Sequence, residues 1–363
     1  MARSTTAIIH PEALRHNLGV VRKLAPSSKV MAIVKADGYG HGLERVANAL
    51  SGADAFGVAA LADAERLRAA GMSQPILLLS GFDAPDDLPR MRALNVWSVV
   101  HHASQLAMLA QSDGTEALRC WLKVDTGMHR LGFAPEEARD AHARLRQLPN
   151  VDPEIGLLQH FASSDEYVDS ASRGAQTLSQ LKLFDEVTAG LGGERSMANS
   201  AAVLGWPQSH GDWVRPGGAL YGISVCEGKT GADYGLRPAM TFTTRLISVK
   251  KIPAGGRVGY AGTWTAPEDM TIGIAAVGYG DGYPRTAASG TLVKVGDHVV
   301  PTVGRVSMDL MTLDLRRFPD AQPGEQVTLW GEDIPVEHVG ASAGTIGYEP
   351  VCSITRRVRF VED

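Results

Sequence analysis

The sequence predicts an α/β architecture: an N-terminal (β/α)8 TIM-type barrel followed by a separate, mostly antiparallel β domain. Three observations carry this expectation. Up to about residue 235, eight short apolar runs alternate with helix-like stretches, which implies parallel pairing, and eight such units close naturally into a barrel. After about residue 236 the segments become β-branched and turn-punctuated, with little helical periodicity. An open doubly wound sheet is the competing fold, but the G-x-G-x-x-G that its dinucleotide-binding form wants after a strand does not occur.

The elements follow in order. PEALRHNLGVVRKL at residues 11–24 predicts a helix ahead of the barrel, with Pro11 suited to the first helical position. The strand candidates begin at residues 30 (VMAIVKA), 55 (AFGVAA), 75 (PILLLSG), 96 (VWSVV), 119 (RCWLKVD), 154 (EIGLLQHF), 195 (RSMANS) and 213 (WVRPGGALYG). Each is a short apolar run bounded by turn or polar residues, as a buried strand requires. Between them lie Ala/Leu/Arg-rich amphipathic stretches such as LADAERLRAAG from residue 61 and PEEARDAHARLRQL from residue 135. AMTFTTRLISVKKI from residue 239, TIGIAAVGYGD from 271, TLVKVGDHVVPTVGR from 291 and QVTLWGED from 326 predict the strands of the second unit. The expected division is 1–235 for the barrel and 236–363 for the β domain. The stretch from Ser163 to Gly174 carries little readable pattern.

Composition narrows the function classes. Hydrophobic residues make up 44% of 363 residues, enough for a large core. The net charge of -5 and the lack of a basic stripe interleaved with aromatics argue against nucleic acid. Cys120, Cys226 and Cys352 are far apart and odd in number, which suits packed thiols in a reducing compartment. No apolar run reaches the roughly 18 residues of a membrane span, and the N-terminus lacks a secretory apolar region. A cytoplasmic protein is expected.

Chemistry in a barrel of this kind sits at the carboxyl ends of the strands. Lys35 ends the first candidate strand; Lys123, Asp125 and Arg130 lie at and beyond the end of the fifth; His160 ends the sixth; Asn199 and Ser200 follow the seventh; Arg215, Gly217 and Gly218 fall in the eighth. Any one of them could be structural, but shared placement at one mouth favours function. Lys35 is an amine able to condense with an aldehyde once deprotonated. Arg215 before Pro-Gly-Gly offers a cation beside bare backbone amides, and Ser200 and Tyr39 add hydroxyls. An amine beside a phosphate cradle suits pyridoxal phosphate. A phosphosugar lyase or aldolase would use the same features.

Ten stretches narrow this choice: IIHPEALRHN from residue 8, VMAIVKADGYGHG from 30, WLKVDTGMHRLGF from 121, LLQHFASSDE from 157, ANSAA from 198, RPGGALYG from 215, RVGYAGTW from 257, VGYGDGYPR from 277, VGRVSMD from 303 and IGYEPVCSITRRV from 346. Together and in order they resemble the alanine racemases, barrel-type (fold type III) pyridoxal-phosphate enzymes, over essentially the whole chain. The resemblance implies pyridoxal 5'-phosphate as cofactor, with Lys35 as the lysine that carries it. Tyr39, Ser200, Gly217, Gly218 and Tyr348 match phosphate contacts. Arg215 matches the arginine facing the pyridine nitrogen, and His160 a histidine linking that arginine to a tyrosine. Asn199 falls in the same cofactor-binding set. Tyr260 matches the second acid-base group, which in the family enters from the partner subunit of a homodimer. Arg130 and the backbone of Met308 match a grip on the substrate carboxylate, and Tyr279 a residue of the inner entrance. Lys123 matches a position that some members carry as a carbamate. No metal is implied. The resemblance also implies a small amino-acid substrate and a source or sink of D-alanine, such as supply for peptidoglycan. The alternatives are a racemase of broader specificity and a non-catalytic pyridoxal phosphate carrier. Ser307 stands where many relatives have Cys, His129 is assigned no role, and His41 is expected to hold its loop.

Overall fold

The structure, a computed structural model, describes residues 5–113, 116–166, 174–226 and 228–363. Residues 167–173 of the unreadable stretch lie outside the described residues. The chain opens with a short strand, β1 (Thr6–Ile9), and the predicted helix Pro11–Leu24. Eight strands follow: β2 (Lys29–Ile33), β3 (Ala55–Val58), β4 (Ile76–Leu78), β5 (Val96–Val100), β6 (Cys120–Lys123), β7 (Gly156–Leu158), β8 (Arg195–Ser196) and β9 (Trp213–Val214). They close as a barrel in sequence order, every pair parallel, with β9 returning to β2 through Lys29↔Trp213 and Val30↔Val214. Seven fall inside the predicted runs, and β2 begins one residue before its own, at Lys29.

The runs read as near-continuous apolar segments because a barrel strand is buried on both faces, inside by its neighbours across the barrel and outside by helices. Trp97, Trp121 and Trp213 meet one another at ring separations of 6.0–6.4 Å. Gly156 makes room for this cluster, since a Cβ there would lie 2.3 Å from the Trp121 ring.

The rest of the chain builds the second unit: β10 (Met240–Ile252), β11 (Arg257–Val258), β12 (Trp264–Thr265), β13 (Met270–Ala275), β14 (Leu292–Val295), β15 (His298–Pro301), β16 (Met311–Asp314), β17 (Gln326–Trp330) and β18 (Arg359–Glu362). The main sheet runs β15-β14-β17-β10-β1-β18, with β13 and β16 added beside β10. It is antiparallel except where β1 pairs with β18. Thus β1, read from the sequence as part of the barrel unit, is hydrogen-bonded into the second sheet instead. Its four residues alternate in burial, as a strand between β10 and β18 with one face covered demands. Two helices that the β-rich texture hid, Val336–Ser342 and Tyr348–Cys352, pack back toward the barrel mouth.

Candidate active site

The segment after β2 is unusual. Ala36, Asp37, Gly38, Tyr39 and Gly40 all have positive φ, between 51° and 76°, so the chain makes one left-handed turn. For residues with a Cβ this conformation costs about 1–2 kcal/mol each. Several contacts hold it. Asp37 Oδ1 accepts from the Leu43 backbone N–H and from Arg66. His41 Nδ1 lies 2.8 Å from the Tyr39 carbonyl oxygen. Gly38 and Gly40 sit where a Cβ would strike Val46 and the Val351 carbonyl, at 2.8 and 2.1 Å. Backbone strain of this kind clusters at functional sites. Here it sets Lys35 and Tyr39 on the wall of one cavity.

That cavity, of about 560 Å³, is lined by Lys35, Tyr39, Lys123, Arg130, His160, Asn199, Ser200, Arg215, Gly217, Gly218 and Tyr348. These are the barrel residues singled out from the sequence apart from Asp125, which does not line the cavity, joined by Tyr348 from the second unit. Tyr260, Tyr279 and Met308 do not line it. They lie on loops of the second unit, at 72%, 38% and 52% exposure. Those loops adjoin: the Tyr279 N–H donates to the Ser307 carbonyl oxygen and the Gly280 N–H to that of Met308. Arg357 binds Asp281 and Asp309 beneath them.

One end of the cavity is a nest of donors. Gly217 and Gly218 press against two tyrosines, since a Cβ on Gly217 would lie 2.3 Å from Tyr39 Oη and one on Gly218 2.0 Å from the Tyr348 ring. Ser200 Oγ accepts from the Gly217 and Ala219 N–H groups at 2.8 and 3.2 Å, which leaves its own proton to donate. Burial raises the phenols of Tyr39 and Tyr348 above the ordinary tyrosine value, so both remain donors. Asn199 caps helix Ser200–Gly205 through its Oδ1, which accepts from the Ala202 N–H at 3.0 Å.

Cations line the rest. Arg215 is 4% exposed and donates to Ser196 Oγ, the Gln159 carbonyl and the Met197 carbonyl at 2.7, 2.6 and 3.3 Å. Among the described residues no carboxylate lies within ion-pair distance of Arg215, Lys35, Lys123 or Arg130. Burial, then the charge of Arg130, holds the Lys35 amine below the usual lysine range. Burial, then Arg215 and Arg130, brings Lys123 to about 8. Burial, then Arg215, holds His160 well below the ordinary histidine value and therefore neutral. A cavity this rich in unpaired cations selects anionic ligands, and its depressed lysines are available as neutral amines.

Some contributors escaped the sequence reading. Gln159 and Ser196 hold Arg215 through a carbonyl and a hydroxyl, groups with no signature in a residue string. Cys352 also lines the cavity, exposed rather than packed as expected of all three cysteines, whereas Cys120 and Cys226 are buried. Its signal was present, because Tyr348 and Cys352 are four apart on one helix and so share a face. Asp281 is fully buried and holds its turn by binding the Gly278 N–H and Arg357.

A closed barrel with a lysine and an anion nest at its mouth, joined to a β domain, defines a distinct class of two-unit protein, and comparison identifies the family. The model of the alanine racemase N-terminal domain matches residues 9–225, and that of the C-terminal domain residues 239–362. The chain belongs to the alanine racemase family. It is 49% identical over 360 residues to an alanine racemase of Vibrio cholerae, covering 99% of this chain and 98% of that one. It is 51% identical over 352 residues to one of Nitrosococcus oceani, covering 97% of each. The crystal structure of the biosynthetic alanine racemase from Pseudomonas aeruginosa superimposes with a TM-score of 0.95 at 40% identity, covering 99% of both chains.

Proposed function

We propose that this chain is an isomerase that interconverts L-alanine and D-alanine with pyridoxal 5'-phosphate bound at the barrel mouth. The observation that carries the reading is the convergence of Lys35, the donor nest and the unpaired Arg215 on one cavity. The residues fit the cofactor. Lys35 supplies the amine for its aldehyde. Tyr39, Ser200, Gly218 and Tyr348 would supply donors for its phosphate, with Gly217 closing that end of the cavity, and Arg215 would lie toward its ring nitrogen. The cofactor contributes an electron-withdrawing ring that acidifies the α-proton of a bound amino acid.

The protein's own task is to move a proton on both faces of the planar α-carbon. Lys35, depressed by burial, serves one face. Tyr260 serves the other, and it comes from the partner subunit, because within one chain it stands outside the cavity. His160 would link Arg215 to that tyrosine. Arg130 and the Met308 backbone hold the substrate carboxylate, and Tyr279 narrows the entrance. Lys123, with part of its amine neutral near pH 8 and three cations around it, is suited to form a carbamate whose negative charge orients Arg130. Arg215, which keeps its proton, would leave the cofactor's ring nitrogen without one. The working unit is a homodimer with shared sites, and the functional division of each chain falls near residues 235 and 236. Among the described residues no helix is long and apolar enough to cross a membrane. A cytoplasmic enzyme that supplies or consumes D-alanine, including supply for peptidoglycan, fits this reading.

The test is proton NMR of the purified protein with L-alanine in D2O, alongside chiral analysis. Loss of the α-proton signal together with accumulation of D-alanine toward an even mixture is expected. Binding of the cofactor without exchange overturns the reading.

A further inference from the structure

His41 is fully buried behind the left-handed turn, outside the cavity that holds Lys35. A carbonyl oxygen only accepts, so the 2.8 Å contact to Tyr39 O places the imidazole proton on Nδ1 and leaves Nε2 as a lone pair. Nε2 has no partner among the described residues. His41 and Trp330 both line a second, small void of about 30 Å³, and the Trp330 indole N–H is also without a partner. Burial lowers the imidazole to about 4, which keeps it neutral at working pH.

His41 reaches Tyr39 by a second route. Its ring packs on Tyr221 at 4.8 Å, Tyr221 stacks on Tyr39 at 4.7 Å, and Tyr39 meets Tyr348 edge-on at 5.5 Å. Tyr221 is itself anchored by donating to the Ile33 carbonyl oxygen at 3.1 Å. The imidazole therefore fixes both the backbone and, through one ring, the side chain of a tyrosine whose φ of 51° is costly if left unsupported.

We propose that His41 is a positioning residue for phosphate binding: its Nδ1–H holds Tyr39 in the left-handed conformation that brings the phenol against Gly217. The proposal rests on the reading of the cavity as a pyridoxal phosphate site. It predicts an effect confined to the phosphate end, so pyridoxal, the same aldehyde without its phosphate, is the control ligand.

The experiment titrates the cofactor-free protein with pyridoxal phosphate and with pyridoxal, followed by absorbance and equilibrium dialysis. His41→Leu is expected to weaken pyridoxal phosphate about tenfold or more while changing pyridoxal less than about threefold. His41→Asn, which keeps a donor near the Nδ1 position, is expected to restore binding to within about threefold of wild type. His41→Gln, whose donor sits near the Nε2 position, is expected to resemble His41→Leu, and it carries the comparison if the leucine variant does not fold. Equal loss for both ligands, no loss for either, or equal binding by the Asn and Gln variants overturns the proposal. Failure of the wild-type protein to bind pyridoxal phosphate overturns the cofactor reading itself, and this inference with it.

Discussion

The barrel mouth and the loop cluster around residues 259–262, 278–283 and 304–309 carry similar side chains in opposite settings. At the mouth, Tyr39, Lys123 and Arg215 are buried, Lys35 and Arg130 open onto the same cavity, and among the described residues none of these cations pairs with a carboxylate. In the loop cluster Tyr260, Tyr279 and Met308 stand exposed and outside the mouth cavity. The mouth has depressed amines and a donor nest; on the proposed reading Lys35 is its proton carrier at the α-carbon and Tyr260, in the loops, is the second. On that reading each region needs the other, and the exposed aromatic and thioether surface is of the kind another protein surface covers. A symmetric pair of chains would bring each cluster to the other's mouth.

The sharpest break of that comparison removes one group from each region. Lys35→Ala and Tyr260→Phe are each expected to lower alanine racemisation about 10²–10⁴-fold, read by chiral chromatography. Tyr260→Phe should still bind the cofactor, seen by absorbance. When the two inactive variants are mixed and re-dimerised, random pairing places one intact site on half of the dimers. Activity should then return to about a quarter of wild type. No recovery after demonstrated subunit exchange would mean that the two regions do not serve one another.

A smaller effect is expected within the mouth. Gly217→Ala drives a methyl against Tyr39 Oη; crowding of this kind costs about 1–3 kcal/mol. Pyridoxal phosphate affinity should fall roughly 10–100-fold, measured by titration, with the melting temperature of the cofactor-free protein changed little. Unchanged affinity would remove the donor nest from the phosphate site.

Lys123 gives a pH-dependent test. Only the neutral amine can form a carbamate, and Lys123 titrates near about 8. As pH falls from 8 the ammonium form grows, the carbamate is lost, and KM for alanine should rise roughly tenfold, the worth of one charge-assisted hydrogen bond. Removing carbon dioxide at constant pH should do the same to wild type and nothing to Lys123→Gln. At the mouth's outer edge the effect should vanish. His129 is 85% exposed, pairs with Asp125 and touches nothing in the cavity, so His129→Asn should leave kcat and KM within about twofold.

Most of the barrel was legible because a doubly buried strand must be an apolar run, and eight such runs have few ways to close. The same rule failed at β1, whose four residues carry no label saying which sheet they join. It failed again at helices Val336–Ser342 and Tyr348–Cys352, too short for periodicity to rise above a β-rich background. The barrel-mouth residues were legible because function in this fold gathers at strand ends. Tyr348 was not legible by that rule, since it arrives from the far end of the chain on one of those short helices. Only the ordered motifs pointed to it.

By itself, the sequence determined the strand count, the placement of Lys35, Lys123, His160, Ser200 and Arg215 at one mouth, and the family, because strand periodicity and motif order are local properties of a chain. Tertiary structure alone decided the left-handed turn that aims Lys35 and Tyr39, the carbonyl and hydroxyl partners that hold a buried Arg215 without a carboxylate, and the exclusion of Tyr260 from its own chain's cavity. Those depend on contacts between residues tens to hundreds of positions apart. Nothing in one segment records what the opposing segment offers as an acceptor, a void or a wall.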